Sequence, residues 1–363
     1  MLTALLVIGI LVFLIIAHEL GHFIVAKICR VRVDEFGVGY PPRAFTFGKI
    51  GETEYTLNWI PFGGFVRLFG DEGEDRHGRG SLVDAARWKQ ALILVAGVAM
   101  NALVGWMLFT AALHTGIPRV VAVAEPGQSV RLLIADVVAG SPAASAGITA
   151  GDEILAMRDA KGVELGLLTP DAVSDFVRVR GGTAIVVSYV HAGATTTASI
   201  IPAHAVIPDA AGRPAFGVAL ALVSDESLPW GQAAKEALTS TKNAFRTVAV
   251  SLWTMLRNAV QGALDLSEVV GPLGLVQVVG AASHNGLGNV LALAGFISVN
   301  LAIINLIPIP ALDGGRLVLL GIEAVRKRNA PRLVVQVLNV FGIVLIALLM
   351  ITVTYNDIVR LLT

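Results

Sequence analysis

Charge is the first thing missing from this chain. Only 15% of its 363 residues are Asp, Glu, Lys or Arg, against about 25% in an average soluble domain. A soluble fold of this length would need far more charge to cover its surface, and a hydrophobic content of 55% excludes disorder. The 27 basic and 27 acidic residues cancel, so no net field marks a nucleic-acid partner. Cysteine is almost absent. Cys29 stands alone, which excludes an internal disulfide framework and any multi-cysteine zinc site. A membrane protein is the class that fits.

The missing charge is concentrated in four runs. Residues 2–26 carry only Glu19, and residues 90–118, 269–312 and 333–356 carry none. A spanning helix needs about 20 apolar residues, so each run is long enough, and helices are expected near 2–27, 91–113, 288–311 and 333–354. The stretch 269–286 is rich in glycine and holds Pro272 and Asn285; it reads as an irregular or re-entrant entry, not a fifth span. The first run has no basic residues before it and carries a His-Glu pair where a signal-peptide cleavage site would need small residues, so it reads as a span that is kept. Lys and Arg gather in 27–89 and in 312–332, while 114–230 is net acidic. The positive-inside rule then places the first two regions in the cytoplasm and the third outside.

Residues 119–205 read as a compact β-rich insert. RLLIADVV and GTAIVVSYV are strand patterns, the second followed by a turn at Gly193 and TTTASIIPA. Between them, Ser141 can cap a short helix with Pro142 at its first position. Gly147 ends that helix, Gly151-Asp152 makes a turn, and DAVSDFVRV forms a second short helix. The run SPAASAGITAGDEIL resembles the PDZ domains of bacterial proteases, which bind extended peptides along a sheet edge. Further on, Ala234, Leu238, Phe245, Val248, Leu252, Met255 and Leu256 keep helical spacing in 230–260. Such a helix suits a membrane surface or ordinary packing equally.

The chemistry sits in the first run. His18-Glu19-Leu20-Gly21-His22 is H-E-x-x-H. Histidines at i and i+4 share a helix face, so both imidazoles can reach one metal. Glu19 lies roughly 100° around the helix and can serve as general base without ligating. Ionisable groups inside a bilayer are costly and mark function by default, and a dication compensates three of them at once. Counting roughly 1.5 Å per residue from Leu2 puts the pair below mid-membrane, towards the cytoplasm. Zinc needs a third protein ligand and an open fourth position. The candidate is Asp313, in Asn305-Leu-Ile-Pro308-Ile-Pro310-Ala-Leu-Asp313-Gly314-Gly315. It is expected to end the third helix, with Pro308 and Pro310 breaking that helix before it and Gly314 and Gly315 allowing unusual backbone angles after it.

Together these motifs resemble the site-2 protease family of intramembrane zinc metalloproteases, closest to the bacterial branch that cleaves membrane-bound anti-sigma factors. The resemblance runs through nearly the whole chain. It implies one Zn2+ per chain held by His18, His22 and Asp313, with Glu19 as catalytic acid/base. Asn305 and Asn300 match positions where the family holds substrate or stabilises the oxyanion. Gly97 and Asn101, in AGVAMNALVGW, match its small-residue second helix, and either could support the active site, as could Pro308, Pro310, Gly314 and Gly315. The segment 36–71 resembles the family's membrane-associated β-loop, with strands AFTFG, EYTLNWI and, after a turn at Pro61, Phe62, Gly63 and Gly64, FVRLFG. Its edge near Pro61, Gly63 and Gly64 could pair with a substrate strand. Unlike two-PDZ members, this chain shows a single insert.

The expected architecture is a polytopic α-helical membrane protein with four transmembrane helices, a cytoplasmic membrane-associated β-loop and an inserted extracytoplasmic β-rich PDZ domain. The boundaries are transmembrane helix 1 at 1–28, the cytoplasmic β-loop region at 29–89, transmembrane helix 2 at 90–114, and the PDZ domain at 118–205. A linker with an amphipathic helix follows at 206–286, then transmembrane helices 3 at 287–313 and 4 at 332–355. The resemblance implies single-span membrane proteins as substrates in a bacterial cytoplasmic membrane, and a peptide or chain terminus as ligand of the insert; no nucleic acid is expected. A non-catalytic PDZ scaffold, an intramembrane zinc transporter or sensor, and a metal hydrolase acting on lipids share parts of the same pattern.

Overall fold

The computed structural model describes residues 2–71, 77–124, 128–204, 212–262 and 271–362. In chain order its elements are α1 (Leu2–Ile28), β1 (Val33–Ile50), β2 (Thr53–Leu68), α2 (Arg87–Thr115), β3 (Arg119–Val121), β4 (Arg131–Val137), α3 (Pro142–Ser145), β5 (Glu153–Asp159), α4 (Pro170–Arg178), β6 (Ile185–His191), β7 (Ala194–Ile200), β8 (Val218–Ser224), α5 (Trp230–Val260), α6 (Pro272–His284), α7 (Leu287–Leu306), α8 (Asp313–Arg326) and α9 (Arg332–Leu362). They divide into two units. One comprises residues 1–115 and 228–363, the other residues 116–227.

In the first unit, α1, α2, α7 and α9 are long and apolar enough to cross a membrane. α1 buries Leu14, Ala17, Gly21, His22 and Ala26, a stripe at helical spacing that faces α2. α2 is the hub and packs against α1, α5, α7 and α8. Small residues set the spacing. A Cβ on Gly21 would overlap the Ala96 carbonyl of α2, and one on Gly105 would come within 3.2 Å of the Gly295 carbonyl of α7. In an apolar solvent, where burial alone does not drive helices together, such close van der Waals contact holds them. α9 leaves most of its apolar surface exposed, as suits a helix facing lipid.

The β-loop is a β1–β2 sheet whose strands double back on themselves. Glu35 pairs with both Arg67 and Glu54, and Val38 with both Gly64 and Leu57. The chain therefore reverses between Ile60 and Gly64, where the turn was expected. Glu35 is buried but fully compensated: Arg43 and Arg67 lie 2.9 and 3.0 Å away and the Thr56 hydroxyl donates at 2.7 Å. Ala26, Cys29, Val31, Val33, Leu68, Leu82 and Ile93 form one cluster that ties this sheet to the feet of α1 and α2.

Two expectations for the third span need correction. The helix stops at Leu306, not near 311 or 313, because Ile307 precedes Pro308 and is forced extended (φ −63°, ψ 138°). Asp313 does not end that helix but opens α8, where a carboxylate suits the helix N-terminus. Gly314 and Gly315 are helical. They are glycine because a Cβ on either would overlap carbonyls of Leu306, Ile307 or Ile309, not for unusual angles; the left-handed residue is Ala311 (φ 77°). The stretch expected to be irregular before this span is largely helix α6. Buried Asp357 of α9 accepts from the amides of Gly271, Leu273 and Gly274 and so satisfies the α6 N-terminus.

The second unit is a six-stranded sheet in the order β3-β8-β4-β5-β6-β7, with every pair antiparallel. Its core gathers Leu132, Ile134, Ile154, Met157, Ile185, Val187 and Leu222 with Phe176 of α4. The caps follow the sequence: Ser141 accepts the Ala144 amide and Thr169 accepts the Ala172 amide. The boundary 118–205 was too short. β8, assigned by sequence to the linker 206–286, pairs along its length with β4 and completes the sheet. Its strand partners lie about 90 residues earlier in sequence (Leu222 against Leu132), and local pattern reading does not reach that far.

Candidate metal centre

Three helices bring the centre together. α1 presents His18 and His22 on its buried stripe, α8 presents Asp313 from its first turn, and α2 passes behind the rings. The Nε2 atoms of His18 and His22 are 3.1 Å apart, and Asp313 Oδ2 lies 3.2 Å from the first and 3.3 Å from the second. That oxygen is buried and has no donor placed for a proper hydrogen bond. Two imidazoles and a carboxylate pointing at one point without satisfying one another have the geometry of a cation site. The spacing fits zinc. Ligands about 2.0 Å from a tetrahedral centre sit roughly 3.3 Å from each other, and these three edges match. Histidine and carboxylate donors with one open position are also the ligand type of a catalytic zinc.

The rings have little freedom. A Cβ on Gly97 would overlap His22 Nε2 and His18 Cε1, so only glycine lets α2 lie flat against both. His22 Nδ1–H donates to the Ile93 carbonyl at 2.7 Å, which leaves Nε2 as the ligating nitrogen. Glu19 extends from the same turn as His18. Its carboxylate accepts the Val66 amide of β2, and a Cβ on Gly64 would meet its Cγ at 3.4 Å. The β-loop thus reaches the acid/base directly.

The chain matches the model of peptidase family M50 over residues 5–349. The chain belongs to that family. It is 31% identical over 347 residues, 95% of each chain, to a Clostridium perfringens protein named as a zinc metalloprotease. Over 374 residues it is 29% identical to an Agrobacterium fabrum protein named likewise, covering 97% of this chain and 94% of that one. A chloroplastic protein of Arabidopsis thaliana, named as the membrane metalloprotease ARASP, is 29% identical over 359 residues, covering 94% of this chain and 75% of its own length. This member of peptidase family M50 is therefore a membrane zinc metalloprotease, and His18, His22 and Asp313 are the described cluster with metal-ligand geometry.

The other candidates separate into two groups. Gly97, Asn101, Gly314 and Gly315 pack at the centre or brace its turn, and Gly64 lies against Glu19. Pro308 and Pro310 shape the break between α7 and α8. By contrast, the Asn300 amide donates to the Phe296 carbonyl of its own helix at 3.0 Å, and Asn305 is half-buried in the last turn of α7. Of Pro61, the backbone position in β2 is described and its side chain is not. Sequence reading missed Ile93 and Val66, which act through backbone groups that any residue type supplies. It also missed Gly21 and Gly342; a Cβ on Gly342 would overlap the Pro310 carbonyl. For Gly342 a lone glycine within a run of large apolar residues was the signal; Gly21 lies inside H-E-x-x-H, at a position the motif leaves open.

Proposed function

We propose that this chain is an intramembrane protease of the branch that cuts membrane-bound anti-sigma factors or signal-peptide remnants, acting on single-span proteins in a bacterial cytoplasmic membrane. The observation that carries this reading is the meeting of His18, His22 and Asp313 at 3.1–3.3 Å, with two of the three on a helix apolar enough to span a bilayer. The basic residues of 27–89 and 312–332 support a site towards the cytoplasm, with the 116–227 unit outside.

His18, His22 and Asp313 would hold the zinc, which when bound lowers the pKa of a water to about 7 and polarises the scissile carbonyl. Glu19 takes the proton of the attacking water and delivers it to the leaving nitrogen as the C–N bond breaks. The Val66 amide holds the Glu19 carboxylate in place for both transfers. A substrate helix has to unwind before its peptide bonds are accessible, and its freed backbone groups then need new partners. The β2 edge at Pro61, Gly63 and Gly64 supplies them beside Glu19, a placement supported by the Gly64–Glu19 approach. Asn305, and Asn300 once released from Phe296, serve as amide donors to the substrate or to the developing oxyanion.

The 116–227 unit is read as a PDZ domain that screens substrates. β8 supports this. Among the described residues β3 covers only Leu222–Ser224 on that side of β8, which leaves Val218–Ala221 with an open edge, and α4 packs nearby. An extended peptide can add there.

The test is cleavage of a panel of single-span substrates by purified wild type and Glu19→Gln. The reading expects a product that 1,10-phenanthroline abolishes and that the variant does not form. Equal cleavage by both forms rejects it.

A further inference from the structure

The outer nitrogens of the two imidazoles are both met by α2, in different ways. For His22 the partner is a backbone carbonyl, which can only accept, so the proton must sit on Nδ1. For His18 the partner is the side chain of Asn101, whose Nδ2 lies 3.3 Å from Nδ1. An amide nitrogen only donates. That arrangement makes Nδ1 the acceptor and puts the His18 proton on Nε2, the atom that faces His22 and Asp313. At the same time Asn101 is fully buried, and its Oδ1 is buried with no hydrogen-bond partner. Amide oxygen and nitrogen exchange places by a half-turn. After that turn Oδ1 accepts Nδ1–H of His18, and the Nε2 lone pair is free to face the ion. The backbone beneath is pinned, because Ser298 of α7 donates its hydroxyl to the Asn101 carbonyl at 2.8 Å.

We propose that Asn101 is the positioning residue for His18: its amide oxygen receives Nδ1–H and selects the tautomer that can ligate. This rests on His18 being a zinc ligand. The two histidines are then matched by two acceptors on one helix, the Ile93 carbonyl and the Asn101 amide, eight residues apart. The second differs in kind. A carboxamide also carries a donor, so Asn101 selects the ligating tautomer only with its oxygen turned to His18 Nδ1. Outer partners of this type are typically worth about 10–100-fold in metal affinity.

The experiment compares zinc retention by the full chain in detergent for wild type, Asn101→Leu, Asn101→Asp and Ser298→Ala. Zinc per chain is measured after dialysis against graded chelator, with the visible spectrum of the cobalt-loaded form and thermal unfolding alongside. Asn101→Leu, which keeps the number of side-chain heavy atoms and loses the acceptor, is expected to bind zinc about 10–100-fold more weakly. Asn101→Asp, which keeps the acceptor, is expected to hold zinc as tightly as wild type and to preserve the cobalt spectrum. Ser298→Ala, which removes the pinning hydroxyl and keeps the Asn101 acceptor, is expected to weaken zinc binding by less than Asn101→Leu. If Asn101→Leu does not fold, Asn101→Ala makes the same comparison. Wild-type affinity in the variants without the acceptor overturns the proposal, as does loss of zinc from Asn101→Asp equal to that from Asn101→Leu. A wild type that binds no zinc overturns this inference and the protease reading together, so the two failures are distinguishable.

Discussion

The two units of this chain store their specificity in opposite places. In the 116–227 unit the informative residues are apolar: Met157, Ile185 and Ile134 are almost wholly buried in a sheet core, and polar groups sit at caps and turns. In the first unit apolar residues are everywhere and distinguish little. There the informative residues are the exceptions, the imidazoles, carboxylates and amides inside the bundle and the glycines that let helices close on them. In water, structure is specified by what is hidden. In lipid it is specified by polar groups that must be satisfied and by small residues that permit contact. Substitutions of similar chemistry should therefore have different consequences in the two units.

The largest effect should come from one polar atom. Glu19→Gln keeps the size of the side chain and removes the base. Cleavage should fall about 10²–10⁴-fold with zinc content unchanged, as single-turnover assays and metal analysis would show. Variation of a residue in the 116–227 unit producing the same loss at unchanged substrate binding would break the contrast. Next in size is Met157→Ala in the sheet core. It should cost about 2–5 kcal/mol in denaturant unfolding of that unit and leave zinc retention as in wild type. A smaller effect is expected from Gly97→Ala, one methyl against both rings, at about 1–3 kcal/mol of overpacking together with weakened zinc. Gly9→Ala, in α1 with open space around its Cβ position, is the matched control and should change neither.

The smallest effect depends on pH. Three donors hold Asp159: the Val163 amide first, then Arg180, with the Lys161 amide adding less. They push its carboxyl below the ordinary aspartate range, against a weaker opposing effect of burial. A lowered folded value means that the charged form stabilises the fold. That stabilisation is complete above the unfolded value of about 3.9 and fades as pH falls through the folded one. Asp159→Asn should therefore be less stable than wild type near neutral pH, and the gap should close on acidification below about pH 4. A gap independent of pH would show that Asp159 acts by shape alone.

The same contrast explains what the sequence could and could not disclose. H-E-x-x-H announced itself because charge is so scarce around it, and Asp313 because it follows 44 uncharged positions, 269–312. The four spans followed from length and composition. Less legible was anything that depends on the partner. Asp313 was expected to close a helix and instead opens α8; the Pro308-x-Pro310 break signalled an interruption without telling that α7 stops at Leu306 or where the next helix begins. Gly314 and Gly315 pointed to backbone freedom when their role is to admit three carbonyls. β8 was assigned to the linker because its partner strand is β4, across the whole insert. The Ile93 carbonyl and the Val66 amide carry no signature at all.

The central claim is that two imidazoles and one carboxylate share a single zinc ion in the membrane-spanning unit. X-ray absorption at the zinc edge of the purified, detergent-solubilised chain tests it most directly. The account predicts one zinc per chain with nitrogen and oxygen ligands at about 2.0–2.1 Å and the multiple scattering of two imidazoles, and the loss of one imidazole contribution in His22→Ala. Zinc with a shell unchanged by that substitution, or a folded chain that takes up no zinc, would contradict it.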